Sequence, residues 1–286
     1  MRWQTLCTNI FIIFQSLLCI IFNGLLTSHL PISVEINEKM AIHRIPKFFS
    51  DVKSVEWPCP TCGQKTLRIL EDSFVCKETA STTKMLSDEW FDLEYVSSIF
   101  SCMSQCIRQE CNEVVACSGR SGLEPDWDDH NGIQYKPWYE PLSFIPGLKL
   151  FTLPEKCPVK ISAPLETSFT LSKLCPGAAA NLIRISIEEL LTAIDVPNKK
   201  GDRLHNRIKA IPDNYSRFQD LLMAIKFLGN AGSHSYEKVT TDDLDNSYEI
   251  MNFILSDLYS DNRKKVSELA NNLDKNLILK NKNVDI

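Results

Sequence analysis

The strongest pattern in the chain is helical and lies in its last third. After Pro176, Leu182, Ile183, Ile187, Leu190, Leu191 and Ile194 recur on one stripe and predict a first helix over about 177–195, which Pro197 ends. Leu204, Ile208 and Ile211 predict a shorter helix at about 202–211. Phe218, Leu221, Leu222, Ile225 and Leu228 predict a third, starting near Tyr215. The fourth opens at Thr240-Thr241-Asp242-Asp243, a hydroxyl residue with an acid three positions on, which is a helix-start signal. Leu244, Tyr248, Met251, Ile254, Leu255 and Leu258 then keep helical spacing. From Ser260 the chain is charged and Asn-rich, and is expected to extend or fray this last helix.

Upstream the pattern changes. Trp90–Val96, Ile99–Met103 and Val114–Cys117 read as short β-like stretches within a cysteine-rich region of about 58–120. Residues 121–160 read as loop, with Pro137, Pro141 and Pro146 too closely spaced for a helix. Trp138, Tyr139 and Phe144 in that segment offer either a stacking surface for bases or rings packed against neighbouring structure, and we take the second. Residues 31–57 read as a polar linker. The expectation is an α+β chain: an apolar N-terminal segment and linker at 1–39, a β-rich, zinc-ribbon-like region at 40–160, and an all-α four-helix bundle at 161–286.

Composition narrows the function classes. The net charge of -5 gives no global field toward nucleic acid or anionic lipid. Neither half is basic, because residues 176–286 hold 15 Lys and Arg against 16 Asp and Glu. The apolar run at residues 10–30 leaves three readings open: a membrane-spanning helix, a signal peptide, or an upstream extension with Met40 as the true start. With Met40 as the start the protein is expected in the cytoplasm; the alternative is a membrane anchor through residues 10–30.

The candidate chemistry lies in the eleven cysteines. Cys59-Pro60-Thr61-Cys62-Gly63 spaces two thiols one tight turn apart, as a tetrahedral metal ion requires. Pro60 pre-sets the turn and Gly63 permits the reversal after it. A second pair must close the site, and Cys76, Cys102, Cys106, Cys111 and Cys117 are the candidates. We choose Cys106 and Cys111, which a polar turn separates. Cys102 and Cys117 sit in apolar β-like runs and read as buried thiols. The expected cofactor is one structural zinc ion. The rival reading, a redox pair at Cys59 and Cys62, needs a thioredoxin-like context that the sequence does not show.

The segment from Ala178 to about Tyr259 resembles the family of domain of unknown function 4145. The residues carrying this are Arg184 to Leu191, Leu204 to Ile208, and Leu228-Gly229-Asn230-Ala231-Gly232-Ser233-His234, with Asp242 and Asp243 opening the fourth helix. The cysteine region and Phe144–Cys157 also look like the N-terminal part of longer members of that family. The resemblance implies a HEPN-like helical domain, a group that includes ribonucleases of bacterial defence, and it implies pairing as a homodimer. HEPN ribonucleases place Arg beside the polar residue that precedes His. Here Gly229 stands in that place, and Lys226, one turn earlier, is the nearest cation.

Two functions follow. One is a zinc-stabilised binding or regulatory module, contacting a nuclease partner in phage defence or a restriction-linked system. The other is a metal-independent ribonuclease acting on RNA, with His234 moving a proton while Lys226 and Asn230 hold the phosphate. The competing structural account makes Asn230 and His234 helix-terminating residues, and Arg184 with Glu188 an ordinary pair at i, i+4.

Overall fold

The computed structural model describes residues 42–128, 132–199, 201–234, 239–261, 266 and 268–273. The apolar run at 10–30 and Met40 lie outside the described residues. Among the described residues no helix is long and apolar enough to cross a membrane.

Six antiparallel strands make one sheet: β1 (Trp57–Pro58), β2 (Lys65–Ile69), β3 (Val75–Glu78), β4 (Ser97–Cys106), β5 (Val114–Asp128) and β6 (Gly132–Ile145). The order is β1-β2-β4-β5-β6, and β3 also pairs with β4. β2 takes the Ser104–Cys106 end of β4 while β3 takes the Ser98–Ser101 end, so the two short strands share one long neighbour. Alternation along β4 turns Ser98, Phe100, Cys102, Ser104 and Cys106 inward. A short helix, α1 (Ala80–Met85), follows β3, with Thr79 as its cap.

The helical part contains α2 (Val159–Leu171), α3 (Pro176–Ala193), α4 (Leu204–Lys209), α5 (Gln219–His234) and α6 (Thr241–Tyr259). α3 to α6 correspond to the four helices expected, with ends shifted by a few residues. A 3-10 turn over Asp213–Phe218 leads into α5. α6 opens on a complete capping box, in which Thr240 accepts from the Asp243 amide and the Asp243 carboxylate accepts from that of Thr240. α6 ends at Tyr259, and residues 268–273 are helical again.

Buried side chains run without a break from the sheet into the helices. Trp57 meets Phe144 edge-on at 4.9 Å, and Phe100 lies among Phe49, Phe74 and Tyr139 at 5.5–5.7 Å. Phe151, Phe169 of α2 and Tyr248 of α6 continue the line at 5.0 and 5.1 Å. Edge-to-face geometry of this kind adds to the apolar burial.

Four expectations change. Residues 42–49, read as linker, form a strap. Ile42 and Ile45 are buried, Phe49 pairs with Tyr139, the Arg44 guanidinium meets Glu249 at 2.8 Å, and Lys173 Nζ donates to the Ile45 carbonyl at 2.7 Å. Residues 121–145, read as loop, are mostly strand. Pro137 and Pro141 lie in β6, at the edge of the sheet, where a missing N–H costs little, and Pro125 lies beyond Gly122, where β5 has left β4 and pairs with β6 alone. Trp138 packs edge-on against Phe48 at 5.2 Å, and Tyr139 and Phe144 face the core, so these rings pack within the fold. Trp90–Val96 is a 3-10 turn over Leu93–Tyr95, because the Asp92 carboxylate accepts from the Glu94 amide and from the Tyr135 hydroxyl. Helix α2 was not expected. Pro164 sits inside it, yet Ile161, Leu165, Ser168 and Phe169 turn one face inward and their burial holds the helix.

Candidate metal centre

Two turns of similar design meet at the end of the sheet. The first leaves β1 at Cys59 and returns to β2. Cys59 N–H donates to the Gln64 carbonyl at 2.8 Å, and Gly63 N–H to the Cys59 carbonyl at 2.9 Å. The second leaves β4 at Cys106 and returns to β5. Cys106 N–H donates to the Glu113 carbonyl at 2.8 Å, and Asn112 N–H to the Arg108 carbonyl at 2.9 Å. Each turn places a left-handed residue just after its second cysteine: Gly63 at φ 70° and Asn112 at φ 49°. Glycine and asparagine are the residues that tolerate this conformation. A Cβ at Gly63 would also come within 3.2 Å of Thr152 Oγ1.

The turns bring Cys59, Cys62, Cys106 and Cys111 together, with all four sulfurs within 4.8 Å of one another. Cys59 and Cys111 Sγ are 3.6 Å apart, and Cys62 and Cys106 Sγ 3.9 Å. A tetrahedron with metal–sulfur bonds of about 2.3 Å has edges of about 3.8 Å, so the cage has the size of one metal ion. A disulfide would need sulfurs at about 2.05 Å, and none of the four cage cysteines is in one. Cys59 and Cys106 are buried while Cys62 and Cys111 are half-buried.

Neighbouring groups fix the sulfurs. Thr66 Oγ1 lies 3.1 Å from Cys106 Sγ and 3.5 Å from Cys62 Sγ. The Thr61 hydroxyl donates to Glu113, tying one turn to the other, and His43 Nε2 meets the Gly63 carbonyl at 2.7 Å. Electrostatics divide the four. Burial pushes the Cys59 thiol up to about 12. Burial also raises Cys62, but the Thr66 hydroxyl, the Gln64 backbone and the Cys59 and Cys106 thiols outweigh it and bring it down to about 6. Thiolates this close repel one another, so full deprotonation requires a cation at the centre.

Cys102 and Cys117 are buried and directly opposed across β4 and β5, outside the cage. A thiol of one faces the other, which lowers Cys102 and raises Cys117. They are the buried thiols that their apolar surroundings suggested.

The other candidate residues lie on the helices. α5 runs unbroken from Gln219 to His234, so Lys226, Asn230 and His234 follow one another at i, i+4 and i+8 of one helix. The side chains of Asn230 and His234 lie outside the described residues. Lys226 lines a cleft together with Arg184, which pairs with Glu188 at 3.2 Å as their i, i+4 spacing suggests. Arg203, His205 and Arg207 line the same cleft; His205 and Arg207 lie in the Leu204–Ile208 segment that carries the resemblance, which was read as a mark of the family and not as a site.

Residues 166–276 match the family model described as Domain of unknown function (DUF4145), in agreement with the resemblance read from residues 178–259. Residues 47–146 match a separate model, Domain of unknown function (DUF8608), which spans all six strands and both cysteine turns. This region is therefore covered by its own family model. No curated protein and no solved structure matches the chain.

Proposed function

We propose that the four cysteines hold one zinc ion and that the protein is a zinc-stabilised binding module. The observation that supports this is the closed four-sulfur cage, two ligands from each turn. Four thiolates fill the coordination sphere of a tetrahedral ion and leave no position for water or substrate, so the metal's role is to hold the sheet end together. Thiolate sets of this kind also accept iron, and zinc is the ion without redox chemistry to exclude. Purified protein is expected to contain one zinc per chain, and Cys59→Ser to lose it. Folded protein without metal, or with the visible absorption of a ferric thiolate centre, overturns the zinc reading.

The helical half carries the finer proposal, which rests on the resemblance. We read it as a HEPN-like part through which two copies pair and through which a nuclease of a phage-defence or restriction-linked system is contacted. A monomer by sedimentation at high concentration counts against it. A second reading, cleavage of RNA by His234 with Lys226 and Asn230, draws on the unbroken helix that carries all three. Metal-independent cleavage by the wild type, lost in a folded His234→Ala variant, would favour it over the binding module.

A further inference from the structure

Strands β4 and β5 place one cysteine of each directly opposite the other, Cys102 against Cys117. Alternation turns both side chains inward, where they are 4% and 2% exposed. The phase of the ladder fixes how far apart they stand. The Cys106 amide donates to the Glu113 carbonyl at 2.8 Å, and those two residues are opposed in the same register. Bonded pairs recur at every second residue of an antiparallel ladder, so Cys102 and Cys117 form one too. The Cα atoms of such a pair are about 5.5 Å apart. A disulfide spans Cα separations of about 4.4–6.8 Å, so the two sulfurs are within bonding reach.

The cage does not compete for either partner. Along β4, Cys106 lies four residues from Cys102, a distance of about 13 Å. Glu113, which stands opposite Cys106, is likewise four residues from Cys117. Cysteines whose Cα atoms are more than about 7 Å apart cannot be bridged unless the backbone moves, so the cage stands clear of the pair. Cys76 of β3 stands opposite Phe100, which makes it a diagonal neighbour of Cys102 at about 7–8 Å. On its other side Cys117 meets Phe144 of β6. Among these strands Cys102 and Cys117 are therefore matched only to each other.

We infer that Cys102 and Cys117 are a reversible disulfide site whose oxidant is a low-molecular-weight disulfide. The thiolate of one cysteine attacks a sulfur of the small disulfide, forming a mixed disulfide and releasing one small thiolate. The second cysteine, deprotonated in turn, attacks the protein-bound sulfur, closes the bond and releases the other small thiolate. The protein gives up two electrons and two protons; the S–S bond of the oxidant takes the electrons, and the two small thiolates take the protons. Cys102 is the first nucleophile, because the Cys117 thiol facing it lowers its pKa. The oxidant enters on local opening of β3, a four-residue strand that is exposed throughout and pairs with β4 alone. The closed loop contains the turn that carries Cys106 and Cys111, so the bond clamps both ends of that turn. Bonded pairs hold their Cβ atoms near the wide end of about 4.5–5.5 Å, whereas a disulfide needs about 3.8 Å. That strain makes the bond easy to reduce. The inference goes beyond the zinc reading and does not depend on it.

The test is incubation of the full chain, as purified, with oxidised glutathione, followed by peptide mapping with fragmentation under non-reducing conditions. A single intramolecular bond is expected between Cys102 and Cys117, with the metal content unchanged and the bond reopened by excess reduced glutathione. Cys117→Ala removes the second nucleophile and is expected to leave glutathione trapped on Cys102. The wild-type map decides the matter even where that variant does not fold. Absence of the Cys102–Cys117 bond, a bond that maps to the cage cysteines in its place, or one that excess reduced glutathione does not reopen would overturn the proposal. The same bond formed in folded protein that holds no metal would support this site while overturning the zinc reading.

Discussion

The inward row of α3 reads Ile183, Ser186, Ile187, Leu190, Leu191, and the inward row of β4 reads Ser98, Phe100, Cys102, Ser104, Cys106. Both rows are buried. The helix buries branched aliphatic chains, at roughly 25 cal/mol per Å² of apolar surface. The strand buries one large ring and four small polar or sulfur-bearing side chains, three of which meet a specific partner. Ser104 Oγ donates to the Val115 carbonyl at 3.1 Å, Cys102 faces Cys117, and Cys106 joins the cage. The helical half therefore draws its stability mainly from apolar area, with Ser186 and Arg207 adding single tie points, while the sheet depends more on particular contacts, with the cage at one end and Phe100 at the middle.

The hardest test of this contrast is removal of the proposed zinc ion. A structural zinc in small domains is worth about 10–16 kcal/mol in apparent binding free energy, as large as the net stability of a typical domain. Chelation or Cys106→Ser is expected to melt the strand signal in circular dichroism while most of the helical signal persists. Hydrogen exchange would show β4 and β5 unprotected with α3 and α6 still protected. Joint loss of both would mean that the strap at residues 42–49 couples the halves more tightly than their own cores do.

Single core truncations sharpen the comparison. Phe100→Ala removes the ring on which Phe49, Phe74 and Tyr139 converge, and is expected to cost about 3–5 kcal/mol. Leu190→Ala is expected to cost about 2–4 kcal/mol, because its aliphatic neighbours can close partly over the gap. Denaturant unfolding of the two variants checks the order. A larger loss at Leu190 would show that the sheet is held by more than its few contacts.

The same contrast explains what the sequence made legible. Helices α3, α5 and α6 follow from aliphatic spacing, and α6 also from Thr240 and Asp243, because local repetition and local caps carry their own signal. The cage was legible for a similar reason. Cys59 and Cys62 announce a turn, and a polar turn between Cys106 and Cys111 offers the matching half. Strand β6 was hidden because an edge position excuses its prolines, and that position depends on strands far away in sequence. α2 was hidden by Pro164. The strap was hidden because its partners, Gly63, Tyr139, Lys173 and Glu249, are distant in sequence. The cleft between α3, α4 and α5 was not legible as one: Arg184 and Arg207 lie in segments that carry the resemblance, but its cations come from three elements, and only packing brings them together.

The smallest expected effect tests whether the helical core is apolar in its energetics as well as its composition. Tyr248 is fully buried at the centre of α6, and its ring meets Phe169 edge-on at 5.1 Å. Its hydroxyl is buried with no hydrogen-bond partner among the described residues. The Ser168 hydroxyl is the group that eases its pKa against the upward push of burial, yet that hydroxyl spends its proton on the Leu165 carbonyl at 2.6 Å. An unsatisfied buried hydroxyl costs about 1–3 kcal/mol, and Phe keeps the ring and its contact while removing the cost. The gap left by one oxygen offsets part of that gain. Tyr248→Phe is therefore expected to leave stability unchanged or raise it by about 1 kcal/mol, measured by denaturant midpoint. A loss of about 1 kcal/mol would instead mean that the Tyr248 hydroxyl donates to Ser168 in solution. Ser168→Ala would then show the same loss, and the helical core would share the sheet's dependence on particular partners.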